Sequence, residues 1–162
     1  MTWRALLIDW PARSLEKLTL FRALFRDFEN HSLHGDFERF RIERGEALKR
    51  HALFEVLDAR TDVHDWRHWP DAWRDPAGAA ASLSSADDAD LSFHMFLQWL
   101  AHRSMAATQA AVRGSGLRIG LIADIAVGVD PTGSDAWSRQ SDMLTGLSIG
   151  APPDLFNPQG QN

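Results

Sequence analysis

The 162-residue sequence contains no cysteine and no tyrosine. Without cysteine there is no disulfide framework and no thiolate metal site, and a reducing compartment suits such a chain. Long apolar runs are also missing. Ala5-Leu6-Leu7-Ile8 is too short for a signal-peptide core and is followed at once by Asp9, Trp10 and Pro11. Nothing approaches the roughly 18 apolar residues of a membrane span. Positive charge is scarce too: the net charge of -5 leaves no basic footprint for nucleic acid. The expectation is a cytoplasmic protein with no nucleic-acid or membrane partner and no cofactor. His64 and His68 stand four apart, but no Glu lies between them as a zinc-protease helix requires, so no metal is expected.

What is present is ordinary in bulk and unusual in its aromatics. Hydrophobic residues make up 44% and charged residues 24%, as in one globular domain. Seven Trp and nine Phe carry the aromatic content. From Leu15, the positions Leu18, Phe21, Leu24, Phe25 and Phe28 recur at helical spacing, and Pro11 suits a first helical turn. Asn30 to Gly35 breaks that pattern. A short helix with Phe37 and Phe40 follows, then Gly45, then a helix with Leu48, Ala52, Val56 and Leu57. Between Asp62 and Pro76, Pro70 and Pro76 predict a broken loop carrying Trp66, Trp69 and Trp73. That loop is either a hydrophobic plug or a platform for a sugar ring, and the plug is the simpler reading. Gly78 to Ala89 is small and polar. The strongest helix runs from there to about Arg113, with Phe93, Phe96, Leu97, Leu100, Ala107 and Ala111 on one stripe and Gly114 and Gly116 as stops. His94, beside Phe93 and Phe96, reads as a packed helix residue.

Leu117 to Val129 changes character. LRIGLIADIAVGV is near-continuous apolar sequence and predicts a strand buried on both faces of a parallel sheet. A long helix, a glycine turn and such a strand make one unit of an α/β architecture. A lone parallel strand has two unpaired edges, so the chain is expected to be a piece of something larger. The glycines of Gly114 to Gly120 do not form a phosphate loop, because they precede the strand instead of following it. Asp124 interrupts the apolar run. A carboxylate there must be paired or face a polar cleft, and strand ends in α/β folds open onto the ligand crevice. The bland alternative is an Asp that caps the following loop. A phospho-accepting aspartate lacks its accompanying acidic pair.

The tail GAPPDLFNPQGQN, Gly150 to Asn162, combines stiff prolines, amides and the apolar pair Leu155 and Phe156. Those ingredients suit the recognition of sugar hydroxyls and a ring face.

Taken in order, IADIAVGV, SDAW (Ser134 to Trp137) and GAPPDLFNPQGQN resemble the amylomaltase-type 4-alpha-glucanotransferases of glycoside hydrolase family 77. DWPA, AWRDP and SFHMFLQWLAHRSM follow the same order upstream, so the resemblance spans nearly the whole chain. It implies an incomplete piece of a (β/α)8 TIM barrel with a mainly helical insertion. Residues 1–113 would be the insertion, and residues 114–162 a barrel strand, Leu117 to Asp124, plus a loop over the cleft. By the same resemblance the reaction is retaining transfer of a 1,4-alpha-glucan segment to the 4-position of an acceptor. Asp124 would meet sugar at the cleavage subsite. Asp154, Leu155 and Phe156 would lie in the overhanging loop, and Gln161 near the scissile bond. The nucleophile and the acid/base fall on no residue of this chain, which is therefore expected to be inactive alone. Two positions depart from the family pattern: Leu155 where many relatives carry an aromatic, and Ala123 where many carry Gly. The partners implied are maltodextrins; oligomeric state is not implied. A competing expectation is a maltodextrin-binding or helical interaction module without catalysis.

Overall fold

The computed structural model describes residues 8–126, 128–144, 146–147 and 150–160. The described chain is mainly helical, with α1 (Trp10–Arg26), α2 (His34–Asp58), α3 (Pro76–Ser82), α4 (Asp88–Gly114) and the short α5 (Ser134–Ser138). Single 3-10 turns fill several of the connections.

Several boundaries have a local cause. Asp9 caps α1, its carboxylate accepting from the Ala12 amide at 3.1 Å, and proline occupies the first turn. Inside α2, Gly45 adopts φ 53° and ψ -133°, so the predicted pair of helices is one rod kinked at the expected glycine. Asp75 starts α3 by accepting from the Ala77 and Gly78 amides at 2.9 and 3.0 Å. Ser84 and Asp87 form a reciprocal capping box before α4, and Asp88 and Asp90 place negative charge in its first turn. At the other end, Gly116 takes φ 96° while the Leu117 amide bonds Val112 O and the Gly116 amide bonds Arg113 O. That is a Schellman stop, which satisfies two carbonyls of the last turn.

The core divides into two clusters that share α2. Phe28, Phe37, Phe40, Leu48, Ala52, Met95, Phe96 and Trp99 form the first, where α2 meets α4. Phe28 packs its ring 4.8 Å from Phe96 and 4.9 Å from Trp99. The second contains Leu53, Phe54, Leu57, Trp69, Ala79 and Trp137. Trp69 is 1% exposed and Trp137 0%. The Trp loop is therefore a plug: Trp69 and Trp137 lie 5.2 and 5.7 Å from the Phe54 ring. Their indole N–H groups are satisfied by backbone, Trp137 donating to Trp73 O at 2.9 Å and Trp69 to Val63 O.

Three expectations are corrected. α3 was not foreseen, since its Ala- and Gly-rich sequence has no apolar stripe to announce it. The far half of the α4 stripe is not core, because Ala107 and Ala111 are exposed. The predicted α/β strand over Leu117 to Val129 does not form among the described residues, where only Ala151 makes an isolated bridge. Among the described residues no neighbouring strand pairs its backbone, and Leu117, Ile119, Ile122 and Ile125 are exposed. What is seen is a helical piece, not a layered α/β unit.

His94 is half-buried on α4 beside Phe93, their rings 5.4 Å apart. Burial pushes its imidazole down to about 4, assisted by the charges of Arg22 and His51 and opposed by Asp90. An unfolded His94 takes up its proton near 6.5, so between about 6.5 and 4 the unfolded chain binds more protons. Its contribution to stability is complete above that window and is lost as pH falls through it. Glu55 works the other way, its carboxyl pushed up chiefly by burial. The expected outcome is that His94→Gln flattens the loss of urea midpoint between pH 6.5 and 4.5. An unchanged slope removes His94 as a source of acid sensitivity. Trp137→Ala should lower stability by about 3–5 kcal/mol in the same urea titrations at pH 7. A loss below about 1 kcal/mol would show that the second cluster does not depend on this indole.

Candidate functional site

Five residues were expected to meet sugar, and four of them lie among the described residues. Asp154, Leu155 and Phe156 lie together on one turn of the segment 150–160. Asp124 lies on another exposed stretch, between Ile122 and Ile125, and no hydrogen bond among the described residues joins it to that turn. Its carboxylate is not enclosed by apolar strand neighbours, so the burial that drew attention to it is absent here. Gln161 falls outside the described residues.

The 150–160 turn is built by its own polar groups. Asp154 Oδ1 accepts from the amides of Phe156 at 2.8 Å and Asn157 at 2.7 Å, while the Asp154 amide donates to Asn157 O at 3.1 Å. The Asn157 side chain then donates to Gly160 O at 2.9 Å, and the Gly160 amide returns a bond to Asn157 O at 3.1 Å. Gly160 closes the loop at φ 71°, and a Cβ there would sit 2.6 Å from Ala151 O. Leu155 and Phe156 consequently stand out from the turn, 95% and 96% exposed. Asn157 and Gly160 were not singled out as fasteners from sequence, although the Asp-x-x-Asn spacing and the following Gly carry that signal.

The preceding segment is anchored to the helices. Asp130 Oδ1 accepts from the Thr132 amide and hydroxyl, both at 2.8 Å, and these bonds hold its carboxyl below the usual carboxylate range. Trp66 Nε1 donates to Pro131 O at 3.0 Å, and Arg50 donates to Ser138 O at 3.1 Å. His51 ties α5 to α2 and α4 through Ser134 Oγ and the Gln98 amide, each at 2.9 Å. That Ser–His pair is not a nucleophile site. Glu55 lies 3.9 Å from Nδ1, the same nitrogen that faces the serine, whereas an orienting acid belongs on the far one.

A cavity of about 840 Å³ between α2, α3 and α4 is floored by Leu53, Leu83, Leu91 and Met95. None of the five expected residues lines it. His64 pairs with Asp58 and His68 with Asp65, each a separate surface contact instead of a shared metal set. None of the described helices is long and apolar enough to cross a membrane.

The described residues form a helical body with a fastened, apolar-tipped turn. The family described as 4-alpha-glucanotransferase, glycoside hydrolase 77, matches residues 2–162. The chain belongs to that family. It is 39% identical over 128 residues to a 4-alpha-glucanotransferase of Mycobacterium tuberculosis, covering 78% of this chain and 17% of that protein. A Haemophilus influenzae 4-alpha-glucanotransferase is 30% identical over 171 residues, covering 96% of this chain and 24% of the relative. For a Thermus thermophilus 4-alpha-glucanotransferase the identity is 27% over 162 residues, with 94% and 30% covered. The chain thus spans between about a sixth and a third of the length of these relatives.

Gly160→Ala is expected to open the turn, because the new methyl meets the Ala151 carbonyl and the residue is forced out of positive φ. Strain of about 1–2 kcal/mol should raise amide exchange at Asn157 roughly tenfold while leaving the helices untouched. Unchanged exchange at Asn157 would show that the close approach to Ala151 is not needed.

Proposed function

We propose that this chain supplies one wall of the glucan cleft of a 4-alpha-glucanotransferase. In that protein a segment of 1,4-alpha-glucan passes to the 4-hydroxyl of an acceptor with retention. The family match over residues 2–162, which runs through the 150–160 turn, is the observation that carries this reading. Under it, residues 1–113 form a helical insertion, and residues 114–162 contribute a strand of a (β/α)8 barrel and the loop above its mouth. The exposed Leu117, Ile119, Ile122 and Ile125 support that register, since apolar side chains of this density are suited to burial in a sheet. Asp124 would then stand at the ligand-facing end of the strand, where a carboxylate aimed at sugar hydroxyls stabilises charge that develops during transfer.

Retaining transfer requires a nucleophilic carboxylate and an acid/base about 5 Å apart, with their proton affinities driven apart. We assign neither role to a residue of this chain. Asp154, Leu155, Phe156 and Gln161 belong to binding in this reading, as does Asp124.

The chain alone should therefore give no disproportionation of maltotriose into glucose and longer maltodextrins; turnover well above a mock preparation would refute the assignment. The same segment grafted in place of its counterpart in the Mycobacterium tuberculosis relative should support transfer. In that chimera Asp124→Ala should lower the rate about 10²–10³-fold, and a near-normal rate would take Asp124 out of the site.

A further inference from the structure

Leu117 to Ile125 has the apolar sequence of a strand, no proline, and no strand beside it among the described residues. Unpaired N–H and C=O groups carrying exposed leucine and isoleucine side chains form a template for pairing with another chain. The stretch is held to α4 at Leu121, whose amide donates to Gln109 Oε1 at 2.7 Å. The same Gln109 amide fills the place where a side chain on Gly120 would lie, so this edge is occupied. In an extended chain the N–H and C=O groups of alternate residues face opposite edges. With Gln109 on the edge of Leu121, the groups of Arg118, Gly120, Ile122 and Asp124 face the free one. Gly120 takes φ 85° in the unpaired chain, and glycine reaches extended geometry without a side-chain penalty.

The charges select the partner. Arg118 and Asp124 are the only charged residues between Leu117 and Val129. Both are exposed, and neither enters an ion pair among the described residues. They stand three places on either side of Leu121. Antiparallel pairing of two copies about Leu121 therefore sets Arg118 of each opposite Asp124 of the other. In that register Leu117 meets Ile125, Ile119 meets Ala123, and Leu121 meets its own twin. These apolar pairs share one face of the ribbon, and both ion pairs lie on the other. On the free edge the apolar pairs are the non-hydrogen-bonded ones, where opposed side chains come closest. Parallel, in-register pairing would instead set Arg118 beside Arg118 and Asp124 beside Asp124.

We propose that residues 117–125 are a self-association surface through which two copies of this chain pair antiparallel about Leu121. Each copy offers the same strand to the other, so the contact closes as a two-fold dimer. Gln109 on the second edge stops growth at two. The inference is independent of glucan binding. In the barrel reading given above, neighbouring strands would cover the same stretch, so the self-pairing belongs to this chain without them.

The absence of cysteine makes the register directly testable on the 162-residue chain. Leu121→Cys gives each copy a single thiol, opposite its twin at a spacing that a disulfide spans. Mild oxidation should convert it to a covalent dimer. Leu117→Cys should crosslink at least about tenfold more slowly, because its twin lies about 27 Å away along the ribbon at roughly 3.4 Å per residue. Sedimentation equilibrium of the wild-type chain should show a weak monomer–dimer exchange between about 10 and 500 μM, since so short a ribbon falls below a standard interface. Arg118→Asp or Asp124→Arg alone should raise the dimer Kd at least about tenfold, because both cross-strand pairs become like-charged. The double exchange restores two opposite pairs and should bring the Kd back to within about threefold of wild type. Far-UV circular dichroism should be the same in every variant, since these side chains are exposed.

A wild-type chain that stays monomeric over that range overturns the proposal. So does a dimer whose Kd ignores Arg118→Asp, or one that the double exchange does not restore, since its contact lies elsewhere. Equal crosslinking through Leu117→Cys and Leu121→Cys rejects the antiparallel register, and species larger than a dimer reject the two-fold closure.

Discussion

α2 has to bury two faces at once, and the rest of the structure follows from that requirement. Leu48 and Ala52 turn toward Phe96 and Trp99 of α4, while Leu53, Phe54 and Leu57 turn toward Trp69 and Trp137. No single partner helix can cover a rod on both sides. α4 covers one, and the other is closed by indoles delivered from loops. This is why four tryptophans sit in segments without long helices, and why Trp66, Trp69 and Trp137 each donate to a backbone carbonyl. A large ring fills the volume, and its N–H fixes the loop that carries it. The kink at Gly45 lies before this double-faced stretch, so Phe37 and Phe40 can follow the first cluster while the later turns serve both.

The polar contacts around that core locate the elements more than they stabilise them. Asp36 receives both Trp99 Nε1 at 3.1 Å and Arg103 at 3.2 Å, pinning α2 against α4. Arg22 bonds Asp90 at 2.6 Å and lies 4.3 Å above the Phe93 ring, which sets where α1 crosses α4. These groups are well exposed, and exposed ion pairs contribute little free energy. Their geometric role is the larger one. It extends to α5, which is too short to hold itself and is clamped by Arg50, His51 and the buried Trp137.

Helices with an apolar period were legible from sequence, and so were their stops, because Phe and Leu spacing and glycine geometry act locally. Gly45, Gly116 and the plugging role of Trp69 could all be read that way. α3 could not: PAGAAAS has nothing to bury except Ala79, and its start depends on Asp75, a residue with many other uses. The predicted strand failed for the opposite reason. Its composition was clear, but a parallel strand exists only through a backbone partner, and composition does not supply one. The site divides in the same manner. The turn carrying Leu155 and Phe156 was legible because prolines, Asp and Asn act within a few residues. Asp124 has no such local bonds among the described residues and lies exposed.

The contrast between the two aspartates bears on how a cleft wall can be built. A side chain that acts through a strand needs the whole sheet before it has a direction. One that folds its own turn carries its geometry with it. Asp154 is of the second kind, since every bond that shapes its turn lies between residues 151 and 160. A segment that folds its own turn can be recognised and tested in isolation. One that acts through a strand must be judged with its sheet present.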